Sequence, residues 1–248
     1  MKMKILTGVV VAGLLLAPRA AGADTLRLAT LDWEPYVGQS LKNRGFSSEI
    51  VTEAFKRAGH EVKIEFTSWD KAIEGAKKGG YDAAFPEYYS KERGRDFVYS
   101  YFFSSSTLVL YARAASAIQY RTLKDLSPYS IGVVRGSITT DEFDNTTYLR
   151  KVESGSDEEN LRNLLTGRVD LIVIDKYAAR HLIATKMPEA AGALVAMDPP
   201  LTIHRLFVVF PRRNPASARL AEEFNRAFAS MEKDGTVKAI MAESNLAE

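Results

Sequence analysis

The chain has 248 residues, contains no cysteine, and carries 33 basic against 31 acidic side chains, a formal net charge of +2. Without cysteine it cannot form disulfides, thiolate zinc sites or a cysteine nucleophile, and the balanced charge gives no reason to expect nucleic acid as a partner. The three histidines, His60, His181 and His204, are too widely spaced to form a metal-ligand motif, so we predict no metal site and no other cofactor.

The first 23 residues have the pattern of a cleaved secretory signal peptide. Lys2 and Lys4 form a basic start, residues 5–17 form an apolar run, and an Ala-x-Ala cleavage pattern ends at Ala23. The run is too short to span a bilayer comfortably, which leaves a non-cleaved anchor as the less favoured alternative. No cysteine follows for lipid attachment. We therefore expect a soluble, exported protein located in the periplasm.

Strand and helix patterns alternate along the rest of the chain. The predicted strands are residues 25–30, 62–66, 82–85, 107–111, 130–134, 169–174 and 206–210. The first predicted helix is capped by Ser47 or Ser48 and ended by Gly59. The other predicted helices are residues 69–78, 157–165, 176–186 and 216–231, and a short final helix follows Gly235. This alternation is typical of α/β proteins with parallel sheets and right-handed crossovers.

One phrase occurs in both halves of the chain: a helix, a glycine turn, an aspartate and then an apolar strand. It reads GGYDAAF over residues 79–85 and GRVDLIV over residues 167–173. The repetition predicts two lobes of similar construction instead of one continuous sheet, the alternative being that any α/β protein repeats such turns. Asp82 and Asp170, which follow the turns, are interpreted as structural. The run Asp157-Glu158-Glu159 is interpreted as the acidic first turn of a helix.

A series of short motifs follows in order along nearly all of the chain after the signal peptide. They are DWEPY (32–36), GF (45–46), GYDA (80–83), SKER (90–93), DF (96–97), YSYF (99–102), IGV (131–133), GS (136–137), GRVD (167–170) and KDGT (233–236). Each motif is weak alone, but in this order and spacing the chain resembles the type II periplasmic solute-binding proteins of ABC importers, specifically the polar amino acid group, solute-binding protein family 3.

The resemblance implies an α/β, two-lobed periplasmic binding protein-like fold of type II, in which each lobe is a mostly parallel sheet flanked by helices. Residues 24–111 together with 206–248 would form lobe 1 and residues 112–205 would form lobe 2, joined by two crossover strands. The protein would close on a small polar solute, an amino acid or a related amine or carboxylate compound, and deliver it to a membrane ABC permease in a transient contact. It would be a monomer that catalyses no reaction and binds no nucleic acid.

Two charged residues correspond to ligand contacts of that family. Arg93 matches the arginine that holds the ligand's α-carboxylate, for which a guanidinium supplies a bidentate fork. Asp175 matches the acid that accepts from the ligand's ammonium, and a carboxylate directly after an apolar strand suits a polar cleft. The alternatives are that Arg93 is a surface arginine, with Arg95 as substitute, and that Asp175 is an N-cap for the following helix.

Aromatic residues follow the predicted strand ends. Trp33, Tyr36 and Trp69 would form an aromatic wall of the cleft, since rings bury a large area and leave polar edges available. Packing in the core is the alternative for each of them. Ligands of such sheets bind beyond the carboxyl ends of the strands, where these residues lie.

Two segments depart from the family pattern, and both fall on candidate ligand-binding residues. After Asp82 the chain reads FPEYY over residues 85–89, so that Pro86 removes a backbone donor and Glu87 brings an acid to the place where the ligand's carboxylate end would lie. Tyr88, which follows, is also a candidate ligand-binding residue. Ser137 is retained, but Ile138 stands where a hydroxyl is expected. These changes argue against a standard α-amino acid, and an acid beside aromatic rings would suit a cationic or amine-bearing ligand. Glu87 could equally be a solvated loop charge.

Two other functions compete with solute delivery. The scaffold also resembles that of periplasmic cyclohexadienyl dehydratases. If this chain were such an enzyme, Glu87 or Asp175 would act as the acid or base. The unusual pocket would also suit a sensory or accessory protein whose role is protein contact.

Overall fold

A computed structural model describes residues 25–244, and the predicted signal peptide lies outside this range. Strands alternate with helices throughout it. The strands are β1 (Thr25–Thr30), β2 (Glu61–Phe66), β3 (Ala83–Tyr88), β4 (Phe97–Tyr99), β5 (Ser104–Arg113), β6 (Ser130–Val134), β7 (Arg150–Ser154), β8 (Leu171–Asp175), β9 (Leu194–Ala196) and β10 (Thr202–Pro211). The helices are α1 (Phe46–Arg57), α2 (Trp69–Lys77), α3 (Asp141–Asn145), α4 (Asp157–Leu165), α5 (Lys176–Lys186), α6 (Ser217–Lys233) and α7 (Thr236–Glu243).

The predicted elements are confirmed in type and order. Four of them, β1, β6, α4 and α5, have the predicted bounds. The predicted strands 107–111 and 206–210 are the buried centres of β5 and β10, which are ten residues long each. Four short or exposed elements, β4, α3, β7 and β9, were not predicted.

The start of the first helix differs from the prediction. Gly45, and neither Ser47 nor Ser48, is its N-cap residue, and both serines lie buried inside the first turn of α1. Gly45 has φ +90°, and a Cβ there would lie 2.5 Å from the carbonyl oxygen of Tyr36. Glycine is therefore required where the loop that carries Trp33 and Tyr36 folds back against the helix start.

The strands form one mixed sheet, in the order β2-β1-β3-β10-β5-β8-β6-β7, with β4 on β10 and β9 on β5. Each half has three parallel strands, β2-β1-β3 and β7-β6-β8, bordered by an antiparallel crossover strand. The expectation that the two lobes do not share one continuous sheet is therefore wrong. β5 and β10 run through both halves and pair with each other over residues 104–108 and 202–206, which makes the hydrogen-bonded ladder continuous.

The hydrophobic cores nevertheless fall into two groups. Two clusters contain residues from β1–β4, α1, α2, α6 and α7, and two contain residues from β5, β6, β8, β9 and α3–α5. The boundary between the two groups of clusters lies at the crossover strands, because Phe103 and Leu206 pack in the first group and Leu108 packs in the second. This gives the two-lobed architecture, while the lobe boundaries at 111 and 205 stay a prediction.

The repeated phrase occupies equivalent positions in the two halves. The Asp82 carboxylate accepts a hydrogen bond from the backbone amide of Arg27 at the start of β1, at 2.9 Å. The Asp170 carboxylate accepts from the backbone amide of Ser130 at the start of β6, also at 2.9 Å. Each aspartate thus ties the start of a central parallel strand to the turn before its neighbour, which supports the structural interpretation of both residues.

Within residues 25–244, no helix is long and apolar enough to cross a membrane. In the same range, no group of three or more histidine, aspartate or glutamate side chains is arranged to hold a metal ion.

Candidate ligand-binding site

A cavity of about 300 Å³ opens between the two groups of cores, beyond the carboxyl ends of β1, β3, β6 and β8. Seven of the eight residues singled out from the sequence line it, namely Trp33, Trp69, Glu87, Tyr88, Arg93, Ser137 and Asp175. The eighth, Tyr36, lies directly behind the wall. Open α/β sheets bind ligands at this edge, so the arrangement has the geometry of a ligand site, and the ligand contacts themselves stay a prediction.

Arg93 and Glu87 form an ion pair at one end of the cavity. The guanidinium Nη1 of Arg93 donates to Oε2 of Glu87, and the backbone amide of Tyr88 donates to Oε1 at 2.9 Å. Glu87 is only 4% exposed, and burial raises the pKa of its carboxyl to about 7 against the opposing effect of the Arg93 charge. Glu87 is therefore not a solvated loop charge, and Arg93 is not a free surface arginine.

Asp175 is held by five protein donors. Its Oδ1 accepts from the backbone amides of Tyr177 and Ala178, both at 2.9 Å, which makes it the N-cap of α5. Its Oδ2 accepts from the hydroxyls of Tyr36 and Ser106, both at 2.8 Å, and from the amide of Thr107 at 3.0 Å. A carboxylate offers about four lone-pair directions. The capping alternative is thus realised, and little acceptor capacity is left for a ligand ammonium.

Trp33 and Tyr36 are stacked, with ring centroids 4.1 Å apart and planes 9° from parallel. Trp33 faces the cavity, whereas Tyr36 is fully buried behind it and its hydroxyl bridges to Asp175. Tyr36 therefore supports the aromatic wall and joins the first half of the molecule to the second, a role that the position of one residue in a sequence does not reveal.

Two further aromatic rings complete the wall. Tyr88 meets Trp33 edge-on at 6.2 Å, stacks on His204 at 4.4 Å, and its hydroxyl lies 2.9 Å from that of Ser106. Trp69 packs beneath the Arg93 guanidinium at 5.9 Å, within the range of a cation–π interaction. The hydroxyls of Tyr36 and Tyr88 are thus engaged with protein, and the wall presents mainly ring surface to the ligand space.

Asp157, which was interpreted from the sequence as an ordinary first-turn acid, lines the same cavity. It is the first residue of α4, and Ser156 rather than Asp157 caps that helix by accepting from the amide of Glu159. Within the described part of the chain, its carboxylate has no hydrogen-bond or ion-pair partner. Burial and the nearby charge of Asp175 raise its pKa to about 7. The sequence signal for this position was limited to an acid in the first turn of a predicted helix.

A second cavity of about 460 Å³ adjoins the first and shares Trp33 and Asp157 with it. Its charged lining residues are Asp32, Glu34, Asp157, Glu158 and Lys186. Glu34 reaches across to α5, where its Oε2 lies 3.0 Å from Nε2 of His181. Glu158 is paired with Arg162 at 2.9 Å and with Lys186 at 3.9 Å. The approach to the candidate site nevertheless has more acidic than basic lining residues.

Comparisons with known proteins agree with this geometry. A family model described as bacterial extracellular solute-binding proteins, family 3, matches residues 26–244. The L-cystine-binding protein TcyJ of Escherichia coli (strain K12) is 23% identical over 207 residues, which make up 83% of this chain and 75% of that protein.

Solved structures share the fold at low sequence identity. A histidine kinase sensor domain with similarity to periplasmic binding proteins matches with a TM-score of 0.77 and 20% identity, covering 90% of this chain and 97% of that one. An ancestral arginine-binding protein bound to arginine matches with a TM-score of 0.75 and 20% identity, covering 90% and 99%. These matches show the two-lobed α/β fold, and at this identity they say nothing about the ligand.

Proposed function

Because this chain belongs to the bacterial extracellular solute-binding proteins of family 3, we propose that it captures a small polar solute, an amino acid or a related amine or carboxylate compound, and delivers it to an ABC permease. The observation that carries the proposal is the 300 Å³ cavity between the lobes, which has an aromatic wall and charged groups converging on it. A cavity of this size suits a single small solute.

The proposed place of action is the periplasm. The basic start, apolar run and Ala-x-Ala pattern of residues 1–23 are those of a signal peptide. Exported binding proteins meet their permease by diffusion, so a monomer that contacts the permease transiently fits this role, with no part for nucleic acid.

Capture without chemical conversion is favoured over the dehydratase alternative by the contacts of the two candidate acids. Glu87 is paired with Arg93, and Asp175 is saturated by five donors. A general acid or base must reach the proton that it transfers, and these contacts hold both groups away from that task.

The test is thermal unfolding of the purified protein against a library of amino acids, amines, oligopeptides, organic acids and prephenate. The protein is first denatured and refolded, to remove ligand carried over from the host. A true ligand at about 100 times its dissociation constant adds roughly 2.7 kcal/mol to the free energy of unfolding. We expect one chemical class to raise the unfolding temperature and to be recovered unchanged.

Paired variants connect the response to the cavity. Trp33→Ala removes the ring that both cavities share and should weaken binding about tenfold or more. Tyr148→Ala removes an aromatic side chain that is 48% exposed and lies outside both cavities, and should leave binding unchanged. Consumption of prephenate, or no response to any compound, would contradict solute delivery.

A further inference from the structure

The ion pair of Glu87 with Arg93 decides what kind of group can approach the arginine. Oε2 of Glu87 accepts from Nη1 of Arg93, so the positive charge is already balanced by a carboxylate of the protein. Glu87 is fixed there by burial and by the amide of Tyr88. A ligand carboxylate that approached Arg93 would lie beside a second negative charge in a poorly hydrated site, which is unfavourable.

Asp157 presents the opposite situation. The other charged residues that line the first cavity have partners within the protein: Glu87 and Arg93 have each other, and Asp175 has five donors. Asp157 lines both cavities, yet no donor or cation in residues 25–244 contacts its carboxylate. A carboxylate partly removed from water is stabilised by an opposite charge, and the space in front of it is the ligand space.

The charge of the whole cleft points the same way. The residues that line the two adjoining cavities include six carboxylates, on Asp32, Glu34, Glu87, Asp157, Glu158 and Asp175, and two cationic groups, on Arg93 and Lys186. Trp33, Tyr88 and Trp69 add the negative faces of their rings. Clefts of one charge sign concentrate ligands of the opposite sign, and aromatic faces attract organic cations.

From these contacts we infer that the ligand is an organic cation that carries an ammonium or guanidinium group and lacks a free α-carboxylate, with Asp157 as its counter-ion. The inference rests on the proposed function, since it names the substrate class of the same cavity. Glu87 takes the place of a ligand carboxylate on Arg93, and the rings of Trp33 and Tyr88 cover the body of the cation.

The experiment compares matched pairs of compounds that differ only in the α-carboxylate: arginine and agmatine, lysine and cadaverine, ornithine and putrescine, histidine and histamine, tyrosine and tyramine. Dissociation constants are measured by calorimetry on the refolded wild-type protein. For the pair that binds, the amine should bind at least about tenfold more tightly than its amino acid. This comparison needs no variant and is independent of any folding defect.

Three variants then locate the effect. Asp157→Asn should weaken amine binding about tenfold or more. Asp141→Asn is the matched control, because Asp141 is likewise the first residue of a helix behind a hydroxyl cap but is exposed and outside both cavities; it should bind as the wild type does. Glu87→Gln leaves Arg93 uncompensated and should shift the preference toward the amino acid of the pair.

The outcomes distinguish failure of the cation inference from failure of the proposed function. An amino acid that binds as tightly as its amine, or more tightly, overturns the cation inference and leaves solute delivery intact. Asp157→Asn and Asp141→Asn with equal affinities overturn the counter-ion role. Silence of every pair and of the wider library contradicts the proposed function, and the inference that rests on it falls as well.

Discussion

At the level of single residues, the contact between Glu87 and Arg93 couples the effects of substituting either one. Arg93→Ala leaves a buried carboxylate without its partner, and we expect the free energy of unfolding to fall by about 2–4 kcal/mol. The double variant Glu87→Gln, Arg93→Ala removes both charges and should recover most of this loss, because paired removal avoids an uncompensated buried charge. Urea unfolding of the three proteins measures the effect.

Arg95 supplies the matched control for that series. It lies in the same short helical turn as Arg93 but is exposed, so Arg95→Ala should change stability by less than about 0.5 kcal/mol. If the double variant were less stable than Arg93→Ala, the pair could not be the source of the loss.

The same two residues show how far a sequence can predict a site. The resemblance to the family placed both residues at the cleft, and both line the cavity. Their contact with each other could not be predicted, because it depends on how the turn after β3 brings residue 93 back over residue 87. The interpretation of Asp157 as an acid in the first turn of a helix is confirmed. Its place in the cavity wall could not be predicted, because the direction of its side chain depends on how the two halves pack.

At the level of elements, Asp175 is the N-cap residue of α5 and also joins the two halves of the molecule. Asp175→Ala removes the cap of α5 and leaves the hydroxyls of Tyr36 and Ser106 and the amide of Thr107 without their acceptor. We expect the free energy of unfolding to fall by about 3 kcal/mol or more, since a cap contributes about 1 kcal/mol and each orphaned buried donor adds to that. Chemical denaturation followed by circular dichroism measures this loss.

Ser156→Ala is the control for capping alone. Ser156 caps α4 through one bond to the amide of Glu159 and has no comparable bridging role. Its loss should therefore be about 1 kcal/mol. Equal losses in the two variants would show that Asp175 acts as a cap only.

Two of the four elements that were not predicted, β7 and β9, share a physical cause. β7 reads RKVES and is largely exposed, and β9 has three residues, so neither has the alternation of apolar and polar residues that marks a half-buried strand. Each is a strand because a more buried neighbour, β6 for β7 and β5 for β9, supplies its hydrogen bonds. Buried strands and amphipathic helices carry their own signal, which is why α4, α5 and β6 were predicted to the residue.

At the level of the whole molecule, the repeated aspartates and the paired crossover strands explain why two lobes share one sheet. Asp82 and Asp170 fix equivalent strand starts, so each lobe is built in the same way. β5 and β10 then join the lobes without a break in the ladder. The cleft lies where the two constructions meet, and its acids face each other across it. The charge of the cleft is therefore a property of the assembled molecule.

The carboxylates of the cleft predict opposite pH dependences for the stability of the protein and for its response to a ligand. The pKa of Asp157 is raised to about 7 in the folded protein, against about 3.9 in the unfolded chain, so the folded state binds more protons between these values. Its contribution to stability is present at low pH and is lost as the pH rises through about 7. Relative to Asp157→Asn, the wild type should lose about 2–3 kcal/mol between about pH 5 and about pH 8.

Binding of a cation should change in the other direction, because only the ionised carboxylate attracts it. The increase in unfolding temperature caused by an amine should therefore grow from about pH 5.5 to about pH 8 in the wild type and in Asp141→Asn. It should grow clearly less in Asp157→Asn, where Glu87, whose pKa is also raised to about 7, still ionises at the same cavity. Differential scanning fluorimetry across this range, with and without the amine, measures both trends on the same samples. The pKa of Asp157 is raised to about 7, so its ionisation changes within this pH range. If Asp157 is the counter-ion, cation binding must change with it. A ligand response in the wild type that does not vary with pH would therefore exclude Asp157 as the counter-ion.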